Sequence, residues 1–225
     1  MMVSKSDSQL LIIFDLDGTL IQSNIDYMGI RDEVRNILKQ LISEEDFLKI
    51  KNTIYTILEL VGLVKENDPS GKYHKKAWDL VLEFELKGYE NAYAIKNVYK
   101  TLERLKAEGH IMVIYTNNAR KLTDYALQTF KMTDYFEYVL TRDEVKNSKP
   151  DPEGIEKLIE KFGKTKESTI FIGDSWVDAE TAINAGIDFV YFGLESAPGT
   201  RRKKIEANYT VKDMSELISL LCENS

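Results

Sequence analysis

Cysteine is nearly absent. The chain of 225 residues holds one, Cys222, so no internal disulfide is available to it. Histidine is almost as scarce, and one thiol with two imidazoles makes no Cys/His zinc cage. No run approaches the roughly 20 apolar residues that a bilayer-spanning helix needs. Residues 1–9 are polar, and the apolar run at 10–14 is shorter than a signal-peptide core and ends in carboxylates. These absences predict a soluble, cytoplasmic protein. Surplus positive charge is missing too: 30 basic residues stand against 37 acidic ones, for a net charge of -7. Duplex phosphates and anionic lipid are held by clustered cations, so neither nucleic acid nor a membrane is expected as a partner. A local basic pocket for a small phosphorylated metabolite stays compatible with this balance. No internal repeat or low-complexity tract is found, and no oligomeric state is specified; a monomer fits.

What is present reads as globular, with 43% hydrophobic and 30% charged residues. Short, unbroken apolar runs at 10–14, 111–115, 138–140, 169–172 and 189–192 each stop at a polar or turn residue. Such runs suit strands covered on both faces, as in a parallel sheet. Amphipathic stretches between them predict helices over 121–130, 152–162, 177–185 and 214–221. Asp151 is the expected N-cap and Pro152 the first residue of the second of these, and Gly186 the stop of the third. The alternation argues a doubly wound α/β core, whose polar groups gather at the carboxyl ends of the strands. Asp15, Thr116 and Asp174 all fall there. Between 22 and 91 only helical patterns are found, at 31–42, 45–63 and 74–86, with a loop at 67–71. About 70 residues is too long for an ordinary crossover. Residues 22–91 are therefore expected to form an inserted all-helical domain, leaving 1–21 and 92–225 as the core.

The chemistry lies at the strand ends. Asp15 and Asp17 stand two apart after the first strand, and leaving both charged and close calls for a proton or a cation between them. Asp174 and Asp178 supply further carboxylates. Oxygen donors without His or Cys favour Mg2+. Gly18 lets the chain turn sharply. Thr116 offers a hydroxyl, and Lys149 an ammonium on a backbone stiffened by Pro150 and Pro152. Together they make up the parts of a phosphoryl-transfer site.

The stretches Phe14-Asp15-Leu16-Asp17-Gly18-Thr19-Leu20, Tyr115-Thr116-Asn117, Lys149-Pro150 and Gly173-Asp174-Ser175-Trp176-Val177-Asp178 occur in this order. In them the chain resembles a haloacid-dehalogenase-superfamily hydrolase of the phosphoglycolate-phosphatase-like branch. The resemblance implies a Rossmann-like core in which Asp15 is the nucleophile and carries an aspartyl-phosphate. Asp17 would be the general acid and then the base. Thr116 and the Asn117 backbone would hold phosphoryl oxygens, and Lys149 would neutralise both nucleophile and phosphoryl group. Asp15, the Asp17 carbonyl and Asp174 would ligate Mg2+, with Asp178 ordering a metal water or Lys149. The helical insert would correspond to the family's cap domain, which lends substrate selectivity. The family's dehalogenases lack the second aspartate, so Asp17 points to a phosphatase acting on a small phosphomonoester. A phosphomutase of the β-phosphoglucomutase type uses the same core residues. From a different class, a non-catalytic phospho-receiver or regulatory module also gathers acids, a hydroxyl and a lysine at strand ends, but lacks a helical insert of this size.

Other residues read more plainly. The cluster Lys72, His74, Lys75 and Lys76 is expected to be a solvated helix face, and Arg201-Arg202-Lys203-Lys204 a surface loop. His110 reads as structural, Arg120 as a capping or solvent residue, Asn118 as a loop residue, and Ser175 and Trp176 as helix entry and packing.

Overall fold

The computed structural model describes residues 9–53, 55–193 and 206–222. Contacts divide the chain into two compact units, Met1–Gln22 with Tyr93–Ser225, and Ser23–Ala92.

The first unit carries β1 (Leu11–Phe14), β2 (Ile21–Gln22), β3 (Tyr93–Ala94), β4 (Ile111–Tyr115), β5 (Tyr138–Leu140), β6 (Thr169–Gly173), β7 (Asp188–Phe192) and β8 (Tyr209–Val211). Six of them form one sheet in the order β5-β4-β1-β6-β7-β8, with every neighbouring pair parallel. This is the doubly wound α/β architecture read from the apolar runs. All four side chains of β1 are fully buried, which accounts for its unbroken apolar run. Phe14 is level with Ile114 on one side and Ile172 on the other. That register brings the carboxyl ends of the three central strands to one edge, where Asp15, Thr116 and Asp174 leave the sheet. β2 and β3 make a separate two-stranded antiparallel pair.

The α-helices described in this unit are α5 (Val98–Ala107), α6 (Arg120–Thr129), α7 (Glu153–Phe162), α8 (Trp176–Ala185) and α9 (Glu216–Leu221). Leu11, Ile13, Tyr115, Phe171 and Phe189 pack with Ile155 and Leu158 of α7 and Ala179 and Ala182 of α8 in one buried cluster. Three details depart from the sequence reading. Pro152, not Asp151, takes the N-cap position, so α7 begins at Glu153; Asp151 lies one residue earlier, its Oδ1 accepting from the Glu153 N–H at 2.9 Å. The expected helix at 214–221 begins only at Glu216, after a turn in which Asp213 Oδ1 accepts from the Ser215 N–H and hydroxyl. α5, β8 and the β2–β3 pair had no counterpart in the patterns. Gly186 caps α8 as expected, in a left-handed conformation.

The second unit is helical: α1 (Tyr27–Leu38), α2 (Glu44–Lys51), α3 (Ile57–Glu66) and α4 (Lys72–Tyr89). Ile30, Val34 and Leu38 of α1, Leu60, Val61 and Val64 of α3, and Ala77 and Val81 of α4 are among its buried side chains. The single helix read at 45–63 is two. Thr56 starts α3 with a reciprocal capping box to Glu59, and its extended backbone ends any continuation of α2. Asp68 holds the start of α4, accepting from the N–H groups of Tyr73 at 2.6 Å and His74 at 2.9 Å. Lys72, Lys75 and Lys76 lie on the exposed side of α4, with Lys75 paired to Asp79. The run Arg201-Arg202-Lys203-Lys204 lies outside the described residues.

Candidate active site

Asp15 follows β1 directly, and its N–H donates to the Ile172 carbonyl at 2.9 Å, which extends the sheet by one bond. The chain then doubles back: the Gly18 N–H reaches the Ile21 carbonyl, and the Leu20 and Ile21 N–H groups both reach Leu16. Gly18 has φ +86, and a Cβ there would lie 2.3 Å from Asp174 Oδ2. Only glycine fits, because the turn carrying Asp17 presses its backbone onto the carboxylate at the end of β6.

Thr116 follows β4 directly, with its N–H on the Leu140 carbonyl, and its buried hydroxyl accepts from the Asn118 N–H at 3.2 Å. The hydroxyl hydrogen remains for a ligand oxygen. Asn117 is partly buried, and its carboxamide makes two hydrogen bonds with the main chain of Lys149.

Lys149 is the hub. Its Nζ stands 2.7 Å from Asp15 Oδ1 and 2.6 Å from Asp178 Oδ1, with all three side chains buried. The rings of Tyr115 and Phe171 lie 5.6 and 5.3 Å from the same nitrogen, an apolar wall that also favours a cation. Asp178 sits in the first turn of α8. Its Oδ2 accepts from the Ser175 hydroxyl at 2.5 Å and N–H at 3.1 Å, while the Asp178 N–H returns to Ser175 Oγ. Ser175, read from sequence as a helix entry, thus aims the carboxylate that faces Lys149. The spacing Ser175-x-x-Asp178 is a capping box and was the available signal.

The electrostatics are unbalanced. Burial raises the Asp15 carboxyl, Lys149 pulls it back and Asp178 adds to the rise, leaving it at about 7. Asp174 is raised well above the ordinary range by burial and then by the charges of Asp178, Asp15 and Asp17. Burial opposes the charge on Lys149, but Asp15 and Asp178 outweigh it and hold the ammonium above its usual range. Among the described residues, Asp15, Asp174 and Asp178 each place an oxygen within 4.8 Å of the others. One ammonium does not balance this much buried negative charge, and an all-oxygen donor set suits a hard divalent cation. The sequence reading drew the metal set as Asp15, Asp17 and Asp174. Asp17 enters that set through its main-chain carbonyl; its carboxylate charge helps raise Asp174, and Asp178 is the third carboxylate of the tight group.

The remaining polar candidates are engaged elsewhere. Arg120 pairs with Glu144, donates to the Val139 carbonyl and lies near Asp124. His110 Nδ1 accepts from the Leu10 N–H, and its Nε2 stands 3.3 Å from the Leu221 carbonyl, which ties the start of β1 to the end of α9.

The parallel sheet thus delivers Asp15, Thr116 and Asp174 to one edge, and the loop before α7 brings the Lys149 ammonium to Asp15 there. Residues 12–192 match the sequence profile of the haloacid dehalogenase-like hydrolases, and the chain belongs to that family. Pyrophosphatase PpaX of Bacillus mycoides is 26% identical over 216 residues, covering 93% of this chain and 95% of the relative. PpaX of Bacillus velezensis is 28% identical over 218 residues, with 93% and 94% covered. Among solved structures, a predicted phosphoglycolate phosphatase of Haemophilus somnus superposes with a TM-score of 0.67 at 22% identity, over 95% of this chain and 98% of that one. CbbY of Rhodobacter sphaeroides in complex with phosphate gives 0.63 at 14% identity, over 93% and 96%. The enzyme is a hydrolase of this superfamily.

Proposed function

We propose that the protein is a Mg2+-dependent phosphatase that hydrolyses a small phosphomonoester through an aspartyl-phosphate on Asp15, with Asp17 as general acid and base. The observation that carries this reading is the Lys149 ammonium, held at once by Asp15 and Asp178 at the carboxyl edge of the sheet. An Asp15 oxygen attacks phosphorus, and the ester oxygen leaves with a proton from Asp17. Asp17, now a carboxylate, takes a proton from water as that water attacks the aspartyl-phosphate, and inorganic phosphate departs with Asp15 regenerated. Thr116, the Asn117 N–H and Lys149 hold the phosphoryl oxygens as charge spreads over them. Asp15, the Asp17 carbonyl and Asp174, with Asp178 close by, would hold Mg2+, which would supply neutralisation of phosphoryl charge. The same reading takes residues 22–91 as a separate helical domain, a small phosphorylated metabolite as the partner and the cytoplasm as the compartment.

The PpaX relatives support a second substrate for the same steps, inorganic pyrophosphate, with phosphate as the leaving group. Release of inorganic phosphate from a panel of phosphomonoesters and pyrophosphate, with and without Mg2+, tests both. Wild type should turn over at least one compound only with Mg2+. Asp15→Asn, nearly isosteric but without the nucleophilic charge, should lose about a thousandfold or more in kcat. Full activity in Asp15→Asn would overturn the mechanism.

A further inference from the structure

We infer that the side chain of Asn117, beyond any contact its backbone makes with substrate, is a positioning residue whose carboxamide sets the main chain of Lys149 so that the ammonium reaches Asp15 and Asp178 together. The inference rests on the phosphatase reading for its kinetic consequence, and on geometry for the rest.

Asn117 Nδ2 donates to the Lys149 carbonyl at 3.1 Å, and the Lys149 N–H donates to Asn117 Oδ1 at 3.1 Å. One amide thus satisfies both main-chain polar groups of one residue, as a neighbouring strand does at a single rung of a ladder. Alanine makes neither bond. Aspartate keeps the shape and the acceptor, loses the donor, and sets an oxygen against the Lys149 carbonyl. Asn117 is held in turn from behind, where Arg142 Nη1 donates to its carbonyl at 2.9 Å.

Lys149 needs such an anchor. Its ammonium ends a flexible four-carbon stem, yet it must meet oxygens 2.7 and 2.6 Å away on two separate elements, the end of β1 and the first turn of α8. The aromatic wall of Tyr115 and Phe171 sets the direction of the stem, while the amide sets where it starts. A shift of about an ångström at the Lys149 backbone forfeits one of the two contacts, and misplacement on this scale is costly to rate when it touches a reacting group. The carboxamide does this without adding charge beside the phosphoryl site.

The test uses full-length wild type, Asn117→Ala, Asn117→Asp and Lys149→Met, with thermal melting to verify folding. Lysine ammonium groups are followed by 15N NMR, and kinetics use the best compound of the panel. Wild type should show a slowly exchanging ammonium resonance that Lys149→Met removes, and both Asn117 variants should shift or broaden it. In turnover, both variants should lose roughly 10- to 100-fold in kcat with KM within about threefold, and Asn117→Asp should not recover what Asn117→Ala loses. An unchanged ammonium resonance in either folded variant, or wild-type kcat in Asn117→Asp, would overturn the inference. If wild type turns over nothing on the panel, the phosphatase reading fails, and the ammonium resonance alone still decides where Asn117 holds Lys149.

Discussion

Lys149 and Asp178 meet at 2.6 Å with both side chains buried, and Asp178 is turned to that contact by the same Ser175 that starts α8. A buried ion pair broken on one side leaves the other charge without its partner. Asp178→Asn, which keeps the shape and loses the charge, should lower kcat about tenfold or more. Asp178→Ala also removes the carboxylate half of the capping box while the backbone bond to Ser175 Oγ stays, so it should cost up to about 1 kcal/mol of stability besides. Steady-state kinetics beside denaturant melts separate the two effects.

Gly154 is a second point of dependence, the second residue of α7. A Cβ there would lie 2.2 Å from Cζ of the fully buried Tyr115 ring, whose face lies 5.6 Å from the Lys149 ammonium. Gly154→Ala should destabilise by about 1–3 kcal/mol and lower kcat as well, because the ring must yield toward the site. Gly62, in the middle of α3, has nothing within 4 Å of where a Cβ would go. Gly62→Ala should instead stabilise by roughly 0.5–1 kcal/mol and leave kcat alone.

Metal and stability should move together. Mg2+ bound among the carboxylates should raise Tm, with about 2.7 kcal/mol expected at a hundred times Kd. Asp174→Asn should abolish that rise, and without Mg2+ it should melt at or above wild type because it relieves like-charge repulsion. Differential scanning fluorimetry with and without EDTA checks this; a Mg2+ response left intact in Asp174→Asn would remove Asp174 from the site.

Far from the site, Asp213 ties α5 to α9. Its carboxylate accepts from the Ser215 hydroxyl at 2.6 Å and N–H at 2.9 Å, and from the Asn97 amide at 2.8 and 3.0 Å. These bonds, those from Ser215 first, hold it down to about 2 from an ordinary 3.8. A depressed folded pKa adds stability above the ordinary value and loses it as pH falls through the folded one. Asp213→Asn should therefore be less stable than wild type by under about 1 kcal/mol near neutrality, since the group is partly exposed, with the gap closing as pH falls from about 4 through about 2. Urea midpoints across that range give the comparison.

The sheet was legible where burial is continuous. β1 reads as a strand because Leu11, Ile12, Ile13 and Phe14 are covered on both faces. β8 does not, because at the sheet edge Tyr209 is half-buried, Thr210 exposed and only Val211 buried, which leaves no apolar run. The division of 45–63 was hidden by apolar residues that keep helical spacing across the break, although Thr56 and Glu59 announce a new start. In the site, the strand-end residues were readable because a strand followed by a polar turn is a local pattern. The carboxamide of Asn117 and the bare backbone of Gly154 act through partners remote in sequence, Lys149 and Tyr115. No local pattern reports that kind of dependence.

The central place of β1 has a consequence for the order in which the protein is made. The strand that carries Asp15 leaves the ribosome first, yet its two neighbours begin only at Ile111 and Thr169. At about 5–20 residues per second, roughly 5–20 s pass before the nearer one exists. Throughout that interval four of the chain's most apolar residues wait unpaired, while the helical segment that follows them is completed in between. Among the described strands, the one at the heart of the finished sheet thus waits longest for its partners during synthesis.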